Sequence, residues 1–341
     1  MSRAAEAVTL ARGARTGEFP PMRRSSLRWT WLIACGLAGC ATAGRRATIL
    51  YTAVVAAVSP KEAQVEIDRR FLERVKDRVT IEAGFRVDDA ARKPNPALLD
   101  GDLHVAGRAP ELGFRIVAEL MNAGSAPRAM ARLERAESTH ATLPVTAVWR
   151  LWPEHAVIPE DQRDTVPELT TPNPDHIFEL HPLVRVAGIS TLDTFHPVDG
   201  YRPGNARRTF AIYQDAECRL TVLASTVRFT TSNFLYNDVH FLLERGRGRI
   251  IAAPGGAFVW GAALDTDGNR LVDSLRFVLV QGSAPERAVR ALRPGARLHV
   301  WGLPRVSFSE LSRRIAAAGS NPAGLKCKLP YEIIVLGVYT D

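Results

Sequence analysis

Apolar and polar positions alternate over most of the chain, and the points where the period changes mark its elements. Ser59-Pro60-Lys61-Glu62 has the chemistry of a helix start, with a capping serine, a proline in the first turn and a glutamate completing a capping box. Apolar residues then recur at Ala63, Ile67, Phe71, Leu72 and Val75, which predicts one helix face. At Val79, Ile81, Ala83, Phe85 and Val87 the period falls to two, so a half-buried strand follows. After a proline-containing loop at 88–99, the turn Asp100-Gly101-Asp102 feeds a strand over 102–108. Phe114, Ile116, Ala118 and Leu120 alternate through another strand, which ends at Asn122-Ala123-Gly124. A helix is expected over 126–138, then strands over 144–152 and 176–186 on either side of a Pro/Asp-rich loop at 153–174.

Residues 188–208 are rich in Pro, Gly, Asp and Thr and read as a linker or an ordered wrap. The second half opens with Phe210-Ala211-Ile212-Tyr213 and continues in strand-like runs at 220–223, 226–231, 239–243, 249–253, 257–263 and 275–281. Asp265-Thr266-Asp267-Gly268-Asn269 fits a hairpin turn, because an EF-hand loop would need its Gly at position six and a Glu at position twelve. Helices at 284–292 and 307–318 and strands at 296–302 and 331–339 complete the pattern. Leu298-His299-Val300-Trp301-Gly302 echoes Leu103-His104-Val105-Ala106-Gly107, a hint of a duplicated module.

The chain is thus expected to be α+β and β-rich, with two compact antiparallel-sheet modules. Its divisions are an upstream segment and export signal (1–39), a tether and apolar lead-in (40–58), a first module (59–187), a linker (188–208) and a second module (209–341). The order strand, strand, strand, helix, strand, strand over about residues 79–186 resembles the OB-fold. That resemblance implies a small five-stranded barrel with its helix between the third and fourth strands, and with it a role in nucleic-acid or glycan binding.

Composition narrows the function classes. The hydrophobic share of 46% and charged share of 23% are those of a globular protein. The net charge of +8 is not a nucleic-acid footprint, because six arginines against Glu6 and Glu18 place half of the excess before residue 40. The remainder is spread along the chain without a basic block, so nucleic acid is disfavoured as a partner.

Those early arginines belong to an address. Arg23, Arg24 and Arg28 precede an uncharged run from Trp29 to Gly39, too short for a membrane span and suited to an export signal. Leu37-Ala38-Gly39-Cys40 resembles the lipobox of bacterial lipoproteins. The resemblance implies cleavage before Cys40 and acylation of its thiol, giving a membrane-anchored protein that faces the periplasm or cell exterior. Its partners would be the membrane and an envelope protein or glycan. Ala41-Thr42-Ala43 fits ordinary signal peptidase instead, which would release a soluble protein, and translation could start at Met1 or at Met22. In an oxidising compartment the two remaining thiols, Cys218 and Cys327, are candidates for a bridge, with two buried free thiols as the alternative.

Candidate chemistry lies in the first module, where residues two apart on a strand share a face. Asp102 with His104, Glu119 with Arg115, and Glu179 with His181 are such pairs. If they converged, His104, His181 and Glu179 would bind one divalent transition metal, with Glu119 or Glu179 as the catalytic carboxylate of a hydrolase. The same spacing fits a polar sheet face whose carboxylate–histidine pairs set strand register. There is no HExxH, paired-cysteine set, G-x-S-x-G elbow or phosphate loop. Trp149, Arg150 and Trp152 form a third candidate, a stacking platform for bases or sugars.

Overall fold

A computed structural model describes residues 55–59, 62–112, 115–155, 168–232, 238–318 and 324–339. The export signal, the lipobox and Cys40 lie outside the described residues. The described residues form one compact unit.

Two closed five-stranded barrels dominate it. The first contains β1 (Thr80–Ala90), β2 (Leu103–Arg108), β3 (Arg115–Leu120), β4 (Thr142–His155) and β5 (His176–Val186). Its strands run β2, β1, β4, β5, β3 around the wall, all antiparallel except β3 and β5, whose parallel pairing makes the closure. A helix at Pro127–Thr139 joins β3 to β4 and buries Ala129, Leu133 and Ala136. The order is compatible with the OB-like expectation.

The second barrel repeats this topology. It contains β6 (Val239–Arg245), β7 (Gly256–Leu264), β8 (Arg270–Val280), β9 (Arg297–Val306) and β10 (Tyr331–Val338). Here β8 and β10 are the parallel pair, and the helix Ala284–Ala291 again joins the third strand to the fourth. The duplication is real at the level of topology, yet the LHVxG echo does not trace it. Leu103–Gly107 lies in the second strand of its barrel, and Leu298–Gly302 in the fourth strand of the other. The residues that do correspond are Arg150 opposite Glu179 and Arg305 opposite Glu332, each pair bridging the fourth and fifth strands.

A third, antiparallel sheet corrects the first helix prediction. Residues Glu62–Asp68 are a strand, paired with Val55–Ser59 on one side and Thr226–Ser232 on the other. Only Arg69–Val75 is helical, capped by Asp68, whose Oδ1 accepts from the amides of Arg70 and Phe71. Ala63, Val65 and Ile67 also satisfy a period of two, and a long-range partner strand decides between the readings. Strands Glu217–Val222 and Leu325–Lys328 complete this sheet, and they carry Cys218 and Cys327 as directly opposed, disulfide-bonded residues. The strand-like run at Phe210 is in fact part of a helix, Ala206–Asp215, capped by Asn205. Its buried Ala206, Thr209, Phe210 and Tyr213 follow helical spacing. The turn at Asp265 is a hairpin, with Asp265 Oδ1 accepting from the amides of Asp267 and Asn269.

The two barrels meet through outer faces. Val79, Met121 and Val148 of the first pack with Val278, Trp301, Leu303, Ile334 and Leu336 of the second, and Phe195 and Val198 of the wrap join them. Two arginines clasp across this contact reciprocally. Arg150 Nε donates to Pro304 O at 2.8 Å, and Arg305 Nη1 donates to Trp149 O at 3.1 Å.

Candidate functional site

Strand alternation divides the wall of the first barrel into two faces. Leu103, Val105, Ile116, Ala118 and Leu180 turn inward and join the main core. The alternate positions His104, Glu119, Glu179 and His181 therefore turn outward. Registry then brings them together: His104 lies opposite Glu119, and Glu179 lies beside Val117 across the parallel pair and opposite Arg150 on β4. Asp102 enters from the turn before β2, where Gly101 takes φ +74° and Asp100 Oδ1 accepts from the Asp102 amide at 2.9 Å.

The resulting cluster is centred on His181. Its Nδ1 lies 3.0 Å from Glu119 Oε2 and 3.5 Å from Glu179 Oε2, and its Nε2 lies 3.5 Å from Asp102 Oδ2. Glu179 is also held by Arg150 Nη1 at 2.6 Å and by His176 Nε2 at 3.0 Å. His176 Nδ1 is 2.7 Å from Pro174 O, which fixes its ring. Asp102 Oδ1 accepts from the Asn122 amide at 2.8 Å.

Burial sets the electrostatics. Asp102 is pushed well above the usual carboxylate range by loss of solvent, which His181 only partly offsets. Burial acts the same way on Glu119, but His181 and His104 outweigh it and hold that carboxyl at about 2. For Glu179, Arg150 and His176 overcome burial and keep it well below the usual range. Burial would lower His181, yet Glu119, Glu179 and Asp102 raise it well above an ordinary imidazole.

The structure thus brings together Glu119, Glu179 and His181, and it adds Asp102 and His176 to them. His104 stays at the rim, partly exposed, with Nε2 3.7 Å from Glu119 Oε1. Among the described residues, the groups whose ligand atoms approach closely enough for a metal are Asp102–Glu119–His181 and Glu119–His176–Glu179, and neither contains His104. His176 was legible as the start of His176-x-x-Glu179-x-His181, but three-residue spacing on a strand gave no reason to place it on their face. Trp149, Arg150 and Trp152 are buried, so no open stacking platform forms there. Trp149 stacks on Phe308 with ring centroids 4.5 Å apart, and Trp152 meets Tyr213 edge-on.

The wrap and the start of the second half stand against this cluster, where Tyr201 interacts electrostatically with Asp100 and Asp102, and Asp238 with Asp100 and His181. Tyr201 OH donates to Asp238 Oδ1 at 2.8 Å, and Trp301 Nε1 donates to Asp238 Oδ2. Elsewhere the second barrel is open on its own outer face. Trp260 of β7 is 44% exposed and Ile251, on the strand beside it, is 52% exposed. Ile251 pairs with Phe258, two residues from Trp260, so both side chains share one face. Arg247 and Arg249 are exposed in the loop leading to them.

Fold and site together define a β-rich protein of two closed barrels with a buried acid–histidine cluster on the outer wall of the first. Family models and curated proteins were compared with this chain, and none matches.

Proposed function

We propose that the chain is an exported, lipid-anchored envelope protein with a binding role, built on a tandem pair of OB-like barrels. The observation that carries the binding role is the exposed Trp260–Ile251 face, with Arg247 and Arg249 exposed in the loop before it. In OB-like barrels the second and third strands and the loop before them are the usual ligand face, and β7, β8 and the 246–250 loop hold those places in the second barrel. An exposed indole, and two exposed arginines in the loop that begins at Gly246, whose amide donates to Trp260 O at 2.9 Å, fit an anionic glycan, with the sugar face stacked on the indole and its carboxylate paired with arginine. The Cys218–Cys327 bond is in keeping with an oxidising compartment. A hydrolase at the acid–histidine cluster is less favoured. A catalytic metal keeps an open position for water and substrate, whereas Asp102, Glu179 and His181 are each only 2% exposed.

The test is a titration of the purified protein with soluble peptidoglycan fragments and, in parallel, with a thymidine oligonucleotide, read by tryptophan emission. The fragments should quench wild type and leave Trp260→Ala silent, with affinity weakened at least tenfold in Arg247→Gln/Arg249→Gln. Absence of quenching by the fragments, or equal quenching in Trp260→Ala, would overturn the proposal. Tighter binding of the oligonucleotide would replace glycan by nucleic acid as the ligand.

A further inference from the structure

The cluster under the second barrel holds a ligand set that hydrogen bonding leaves unfinished. Asp102, Glu119 and His181 each present a ligand atom, all within 4.8 Å of one another. They come from the turn before β2, from β3 and from β5, segments that only barrel closure brings together. His181 is 2% exposed, and neither ring nitrogen makes a hydrogen bond of acceptable geometry. The nearest carboxylate oxygens stand at 3.0–3.5 Å from the ring nitrogens as charge partners. A buried imidazole in this state forfeits the hydrogen bonds it had in water, and a bound cation restores a partner.

We propose that Asp102, Glu119 and His181 bind one divalent transition cation, zinc, as a structural centre between the first barrel and the elements that cover it. One imidazole nitrogen with two carboxylate oxygens is a mixed set that zinc accepts, whereas calcium and magnesium take all-oxygen sets. The surroundings are those of a closed site. Glu179 beside His181 is anchored by Arg150 and His176, and the Asn122 amide holds the far oxygen of Asp102, so the ligands have outer partners that fix their orientation. Burial of all three ligands leaves no room for a substrate, which makes the role structural.

The experiment uses the full chain, expressed with its own export signal and purified without chelator or histidine tag. Elemental analysis should find one zinc per chain. After removal of zinc with EDTA the melting temperature should fall by about 5 °C or more, and added zinc chloride, but not calcium chloride, should restore it. Asp102→Asn and Glu119→Gln preserve volume and should fold, with zinc affinity at least tenfold weaker. His104→Asn should keep the metal, because His104 lies outside the set. Metal-free wild type whose melting is indifferent to zinc chloride would overturn the proposal. So would zinc bound equally well by Asp102→Asn and Glu119→Gln, or lost in His104→Asn. None of these outcomes bears on the Trp260 face, so the glycan titration stands or falls separately.

Discussion

Arg305→Met is the sharpest probe of how the two barrels hold together. Arg305 is fully buried, and Nε donates to Glu332 Oε1 at 2.6 Å. Nη1 and Nη2 reach Trp149 O and Arg78 O of the first half at 3.1 and 3.2 Å, and the guanidinium lies 3.8 Å over the Trp149 ring. Burial lowers this guanidinium to about 10, partly offset by Glu332, so it is charged at neutral pH. Removing one member of a buried pair costs about 3–5 kcal/mol, because the partner is left desolvated. Methionine replaces the packing but neither the cation–π contact nor the bonds to the two carbonyls. Those losses overlap with the first, so the total should be about 4–6 kcal/mol. Glu332 keeps Arg276 as a second partner. Glu332→Gln strands both Arg305 and Arg276 and should therefore cost at least as much, and the double variant should cost at least about 2 kcal/mol less than the sum of the singles. Urea unfolding followed by circular dichroism and tryptophan emission gives all three values, with wild type unfolding in one coincident transition. A loss below about 1.5 kcal/mol for Arg305→Met, or singles that add within about 0.5 kcal/mol, would refute the view that this arginine clamps the two halves.

Two further outcomes are expected. Burial pushes Asp238 up to about 6, against the hydrogen bonds from Tyr201 and Trp301 that lower it. Its folded-state value therefore lies above its unfolded one, the native protein binds the extra proton between about pH 4 and 6, and this group's contribution to stability falls as pH rises through that window. The stability of wild type minus that of Asp238→Asn should fall by about 3 kcal/mol between pH 4 and 7, and a flat difference would sink the argument. At the N-terminus, labelled palmitate should enter the wild-type chain and sediment with membranes, and Cys40→Ser should lose both; incorporation into the variant would remove the lipobox reading.

The sequence alone carried the β-rich character, the element order of the first barrel and the strands that bear the acids and histidines. These are local properties: an apolar residue at every second position commits a segment to one buried face wherever its partner lies. Pairing was not legible, because it depends on residues far away in the chain. Residues 62–68 satisfy both a helical and a strand period, and only the hydrogen bonds offered by Thr226–Ser232 make them a strand. The echo at Leu298 looked like a repeat, while the true correspondence, Arg150–Glu179 with Arg305–Glu332, spans fourth and fifth strands that sequence spacing cannot align. Glu119 and His181 share a face only because β3 and β5 close the barrel in parallel. Their burial, which turns a row of polar side chains into a ligand set, comes from a second barrel and a wrap that begin after the last of those residues.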